Sequence, residues 1–260
     1  RLQSTRGEDV LDTLSARVEL GKVGEIMRLY CKALTGRNLS LQSSAALTEK
    51  GIGWVDQDRA STEGTTIFLP ESMERYHDKA ENFAAMKVFA THQAGRIEFG
   101  SFEFSTDLEP ATLQSRLSSL MASRESAAVT AIEAFFDLFP DRKMAADLFT
   151  VVEDGRVDAS IRREYGGIRK ALQRMQQDAL ATRSDIRKLP LRQAFVENLV
   201  RASLDGDDAV RFPKSHREEM EQGLGLLGAA FRQGSNVADS AEATFALYRI
   251  ASMIPNTIES

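Results

Sequence analysis

The stretch "ATHQAGRIEFG", residues 90–100, lies within an apolar segment of helical period that begins near Lys79. Its reading decides the fold class, because from Lys79 onward the same periodicity continues almost to the end of the chain. Upstream, Val10, Leu11, Leu14, Val18, Ile26, Leu29, Tyr30 and Leu34 predict a helix over 8–35. Thr5 and Glu8 have capping-box spacing for that helix, and Gly36 is placed to end it. The period changes between 39 and 70, where "GIGWVDQ" (51–57) and "GTTIFLP" (64–70) are short β-prone runs separated by polar residues. The expected class is therefore mainly α with a small β-sheet (α+β). The second run is expected to form a strand beside the helix that carries His92, since Ile67, Phe68 and Leu69 are β-prone and bounded by Gly64 and Pro70.

Downstream the pattern predicts a helix over 79–99 and one or two helices across 110–138, with Pro140 marking a break. A further helix covers 141–155. The next carries the stripe Ile161, Tyr165, Ile168, Leu172, Met175 and Ala179, whose expected partner is the protein's own core. Pro190 begins a helix through Leu204, and Ser215 with Glu218 and Asp239 with Glu242 cap the last two. The chain reads as one mostly helical domain over 1–260, with a sub-boundary placed near 205–214.

Hydrophobic and charged fractions of 42% and 27% are those of a globular protein, and the net charge of −5 argues against a general nucleic-acid binder. No apolar run approaches the roughly 20 residues of a membrane span. The single cysteine, Cys31, excludes an internal disulfide and suits a reducing, cytoplasmic setting; its helical neighbours Leu29 and Leu34 mark it as core. With Arg1 first and no signal-peptide pattern, the chain is expected to be part of a longer protein.

Two histidines at i and i+4 on a helix can share one zinc ion, and a glutamate after the first serves as base in the motif H-E-x-x-H. Here the five positions are His92, Gln93, Ala94, Gly95 and Arg96. Gln93 cannot act as a carboxylate base, and Arg96 is a permanent cation where a neutral ligand should stand. A second polar interruption, "LFTVVEDGRVD" (148–158), supplies Glu153 and Arg156. An arginine from the first segment and a carboxylate from the second predict a buried ion pair, Arg96 with Glu153, where a metal ion would otherwise sit. His77 and His216 read as surface residues, and "DGDD" (205–208) reads as a turn because it lacks the spaced ligands of a calcium loop. No P-loop, G-x-G-x-x-G or G-x-S-x-G is present. Between Arg156 and Arg201 there are eleven Lys or Arg against five Asp or Glu. Within this basic region Arg162, Arg163, Arg169, Lys170 and Arg174 are the candidate docking residues, expected to be exposed opposite the apolar stripe.

"LYCKALTGRNLSLQ" (29–42), "TTIFLPE" (65–71), "ENFAAMKVFATHQAGRIEFGSFEF" (81–104) and "LFTVVEDGRVDASIRREYGGIR" (148–169) resemble the N-terminal region of the NorD/CbbO proteins. The resemblance spans roughly 25–205. It implies a helical domain with a degenerate zincin-like core. It also implies an adaptor role beside a hexameric MoxR-type AAA+ ATPase, presenting a target enzyme such as Rubisco or nitric oxide reductase for activation. The family's C-terminal von Willebrand factor A domain holds a metal through D-x-S-x-S, which this sequence lacks. The degenerate metal site would be His92, Arg96, Glu153 and Arg156, a structural constellation with no catalytic residue, metal or cofactor. The alternative is a zinc metallopeptidase with a rearranged HxxxR…E site using His92, Glu98 or Glu153.

Overall fold

The computed structural model describes residues 15–44, 65–122 and 130–258. The fold is mainly helical with two small two-stranded sheets, as the periodicity predicts. The chain divides into two compact units, one formed by 1–98 with 164–175 and the other by 99–163 with 176–260. Residues 205–214 lie inside the second unit.

In the first unit, β1 (Val18–Glu19) leads directly into α1 (Leu20–Thr35). The helix expected from residue 8 thus starts later, because Val18 and Glu19 pair antiparallel with Met73 and Ser72 of β4 (Ser72–Met73). A sheet ladder there takes backbone groups that a longer helix would have used. Thr5 and Glu8 lie outside the described residues. Gly36 ends α1 as expected, in the left-handed region with its N–H donated to the Lys32 carbonyl. Cys31 is buried, its thiol donating toward the Ala90 carbonyl at 3.9 Å. The run "GTTIFLP" forms β3 (Thr66–Leu69), paired in parallel with β2 (Ser40–Ser43). Alternation sends Ile67 and Leu69 inward, and β3 packs on α2 (Lys79–Glu98), the helix that carries His92. The expectation for "GIGWVDQ" falls outside the described residues.

Asn82 in the first turn of α2 fixes the approach to that helix. It is fully buried and makes four hydrogen bonds, accepting from the Arg75 and Tyr76 N–H groups at 2.8 Å and donating to the Ala16 and Tyr76 carbonyls at 2.7 and 2.8 Å. Two separated pieces of backbone, at residue 16 and at residues 75–76, are satisfied by one amide.

In the second unit, α3 (Ala111–Ala122) and α4 (Ala131–Phe136) occupy the region expected to hold one or two helices. They join α5 (Arg142–Glu164), α7 (Leu191–Asp205), α8 (Arg217–Ala230) and α9 (Val237–Met253) around two apolar cores. One core gathers Leu148, Val152, Phe195, Leu199, Leu227 and Leu247. The other is aromatic, with Phe135 at 5.1 Å from Phe139 and 5.6 Å from Phe136, ring centre to ring centre.

Three further helix boundaries differ from expectation. Helix α5 runs unbroken through "VVEDGRVD", so the break expected near residue 155 is displaced to the Tyr165–Ile168 turn, where Gly166 and Gly167 favour a 3-10 segment before α6 (Arg169–Ala181). The stripe is accordingly split between two helices, with Ile161, Ile168 and Leu172 buried. Gly155 lies within the helix with the Phe231 ring packed against it; a Cβ there would stand 2.2 Å from that ring's Cζ. Finally, α9 is capped by Asn236 with Asp239 instead of Asp239 with Glu242, and α8 follows a 3-10 turn over Lys214–His216 with His216 as its N-cap. The N-cap position must precede the first helical turn, and the Pro213 turn places His216 there in place of Ser215.

Candidate functional site

His92 and Arg96 stand one turn apart on α2, both half-buried, and Glu98 is the exposed last residue of that helix. Glu153 and Arg156 stand one turn apart on α5, each only 1% exposed. The two pairs belong to different units, the first pair to 1–98 and the second to 99–163.

Around Glu153 the acceptor sites are full. Arg156 donates from Nη2 to Oε1 at 2.6 Å and from Nε to Oε2 at 2.8 Å, a bidentate contact. Ser101 donates its hydroxyl to Oε1, and Ser240, in the first turn of α9, donates to Oε2 at 2.7 Å. A carboxylate offers about four lone-pair positions, and all are used. The remaining face of the guanidinium is spent on backbone: Nη2 donates to the Phe99 carbonyl at 3.0 Å and Nη1 to the Ser235 carbonyl at 3.2 Å. The node therefore ties α5 to the 99–101 segment, to the turn before α9, and to α9 itself.

The bidentate partner of Glu153 is Arg156. The physical reason is local: in an unbroken α5, residues i and i+3 already face each other, so the nearest arginine is in the same helix. Ser101 and Ser240 carry no pattern in the sequence that marks them as partners. The spacing E-x-x-R of Glu153 and Arg156 was the available signal for the pair, once the helix is read as continuous.

A zinc site needs three or four donors with free lone pairs. Glu153 has none to spare, and a cation placed on it would meet a permanent guanidinium already within 2.6 Å. Among the described residues, no group of three or more His, Cys, Asp or Glu is arranged to hold a metal ion. The residues around Glu153 do not fit zinc.

The candidate docking residues separate into two kinds. Arg162 and Arg163 are half-buried: Arg162 donates to the Asp158 carbonyl at 3.4 Å, and Arg163 donates to the Phe231 carbonyl at 2.8 Å and to the Ser160 hydroxyl at 3.0 Å. They stand on the extended α5, so the expectation that they are freely exposed is corrected. Arg169, Lys170 and Arg174 are exposed, with Arg174 paired to Glu81 and its guanidinium 4.2 Å from the Tyr76 ring centre. His77 is exposed, as expected, whereas His216 is half-buried with Nδ1 3.4 Å from a Glu219 oxygen. "DGDD" is a turn, with Gly206 at φ 75° leading a 3-10 segment. Among the described residues, no helix is long and apolar enough to cross a membrane. No family model matches the chain, and neither a curated protein nor a solved structure matches it.

Proposed function

We propose that this chain is a non-catalytic adaptor domain of the NorD/CbbO type, working in the cytoplasm. It docks a MoxR-type AAA+ ATPase hexamer, a target enzyme such as Rubisco or nitric oxide reductase, or both. The reading begins from the resemblance of segments 29–42, 65–71, 81–104 and 148–169. The observation that carries it is the closed Glu153–Arg156 node. At the position where a metallopeptidase would hold an open carboxylate ligand, this chain holds a fully bonded ion pair. Such a pair adds little net stability but sets one relative arrangement of the pieces it joins. That is a scaffold's requirement.

The test uses the full-length protein with a purified MoxR-type AAA+ ATPase. Co-elution with the hexamer and a changed ATP hydrolysis rate are the expected results. The metallopeptidase reading would replace this one if purified protein carried near-stoichiometric zinc that His92→Ala removed. Cleavage of a peptide substrate, lost in the same variant, would replace it equally.

A further inference from the structure

The basic excess between Arg156 and Arg201 has a second location, inside the unit formed by 99–163 and 176–260. A cavity of about 820 Å³ opens between the 183–189 segment, the start of α7 and the 211–213 segment. Its floor is apolar, made by Ile186, Leu191 and Phe212, while Arg183, Arg187, Arg201 and Arg211 stand around it. Among the described residues, two carboxylates answer these four cations. Glu197 accepts from Arg183 and, at 3.2 Å, from Arg201, and Asp185 accepts from Arg187 at 3.1 Å. Two positive charges are left over in a chain whose net charge is −5.

The wall is built, not incidental. Among the described residues, Arg211 has no carboxylate as a hydrogen-bond partner; its Nη1 donates to the Asp208 and Val210 carbonyls at 2.6 and 2.7 Å. Its backbone is clamped by the buried Asn198 amide, which accepts the Arg211 N–H at 2.6 Å and donates to the Arg211 carbonyl at 3.0 Å. Arg201 Nη2 donates to the Ser184 carbonyl at 2.8 Å, holding the opposite lip. At the mouth, the Arg187 side chain is 89% exposed, and its pairing with Asp185 is of the screened surface kind that exchanges at little cost.

We propose that this cavity receives a short acidic segment of a partner protein. One aliphatic or aromatic side chain sits on the Ile186–Leu191–Phe212 floor, and its carboxylate neighbours are met by Arg187 and Arg211. An open, cationic rim over an apolar floor suits a chain entering from outside; an enclosed metabolite would be covered on more sides. That the ligand is a protein segment rests on the adaptor reading above. The site's chemistry does not.

The probe is a fluorescein-labelled peptide, Asp-Leu-Glu-Phe-Asp-Leu, with Lys-Leu-Lys-Phe-Lys-Leu as its counterpart, followed by fluorescence anisotropy. Binding of the acidic peptide that weakens with salt, and that falls about tenfold or more in Arg187→Glu/Arg211→Glu, is expected. Both substituted side chains are at the surface, so an unchanged thermal midpoint accompanies the loss. Leu189→Ser, on the cavity lining, should weaken binding through the apolar part alone. Equal binding of the lysine peptide, unchanged affinity in the double variant, or no binding of the acidic peptide would each overturn the site. Co-elution of full-length protein with the ATPase hexamer is measured beside it. Peptide binding without co-elution keeps the site and removes the adaptor reading. Co-elution untouched by the double variant, with no peptide binding, does the reverse.

Discussion

Arg156 meets Glu153 from one turn further along the same helix, with two N–H groups 2.6 and 2.8 Å from its two carboxylate oxygens and both side chains 1% exposed. A buried pair of this kind is asymmetric in its energetics. Desolvation offsets most of the attraction when both partners are present, but removing one leaves an uncompensated charge. Arg156→Ala is expected to destabilise by about 3–5 kcal/mol in urea unfolding. Replacing Glu153 and Arg156 together with Leu and Met should cost clearly less than the sum of the single changes. Strict additivity in that cycle would mean the two side chains act independently, against the geometry.

Gly155 lies in the middle of α5, where alanine is ordinarily favoured by about 1 kcal/mol. Here the sign should reverse, because a Cβ would stand 2.2 and 2.6 Å from two carbons of the Phe231 ring. Gly155→Ala is expected to lower the unfolding midpoint. Gly155→Ala combined with Phe231→Leu should recover part of the loss by making room. A stabilised Gly155→Ala protein would show that Phe231 is not seated there.

Asn82 supplies both donors and acceptors to buried backbone. Asn82→Asp keeps the size but turns two donated hydrogen bonds into carboxylate–carbonyl repulsion with Ala16 and Tyr76. A loss of roughly 2 kcal/mol or more is expected, larger than that of a surface Asn→Asp change measured alongside. Equal effects of the two would remove Asn82 from its proposed role.

Burial pushes the Cys31 thiol up from its ordinary 9.0 to about 11. Burial raises Tyr165 to about 12, with Glu98, Glu164 and Tyr30 adding to the shift, and also moves Tyr30 upward. In the unfolded chain these groups ionise at lower pH than in the folded one. Their contribution to stability is full below the unfolded values and is lost as pH rises through the folded ones. The urea midpoint should therefore decline between about pH 9 and pH 11, and Cys31 should react slowly with a thiol reagent at about pH 8 until denaturant is added. A flat or rising midpoint across that range would contradict the burial.

Much of the fold follows from residues read one at a time. The helical period from Lys79 onward, Gly36 as a stop, Pro190 at a helix start and the β-prone run before Pro70 all act through local backbone preference, and each element stands where that preference puts it. Local preference could also bring Glu153 and Arg156 together, since i and i+3 share a helix face. What it could not decide was whether the helix continued through Gly155. In the tertiary structure α5 is unbroken there, and the Phe231 ring, 76 residues away in sequence (231 minus 155), fills the space a side chain at 155 would have taken. In a continuous α5, Arg156 stands one turn from Glu153 and is its bidentate partner. Ser101 and Ser240 then supplied the last acceptor contacts from segments with no pattern of their own. The same holds for the arginine-lined cavity: the sequence showed a surplus of positive charge between Arg156 and Arg201. Only tertiary packing, with Asn198 clamping Arg211 beside Arg187 and Arg201, gathered part of that charge into a site.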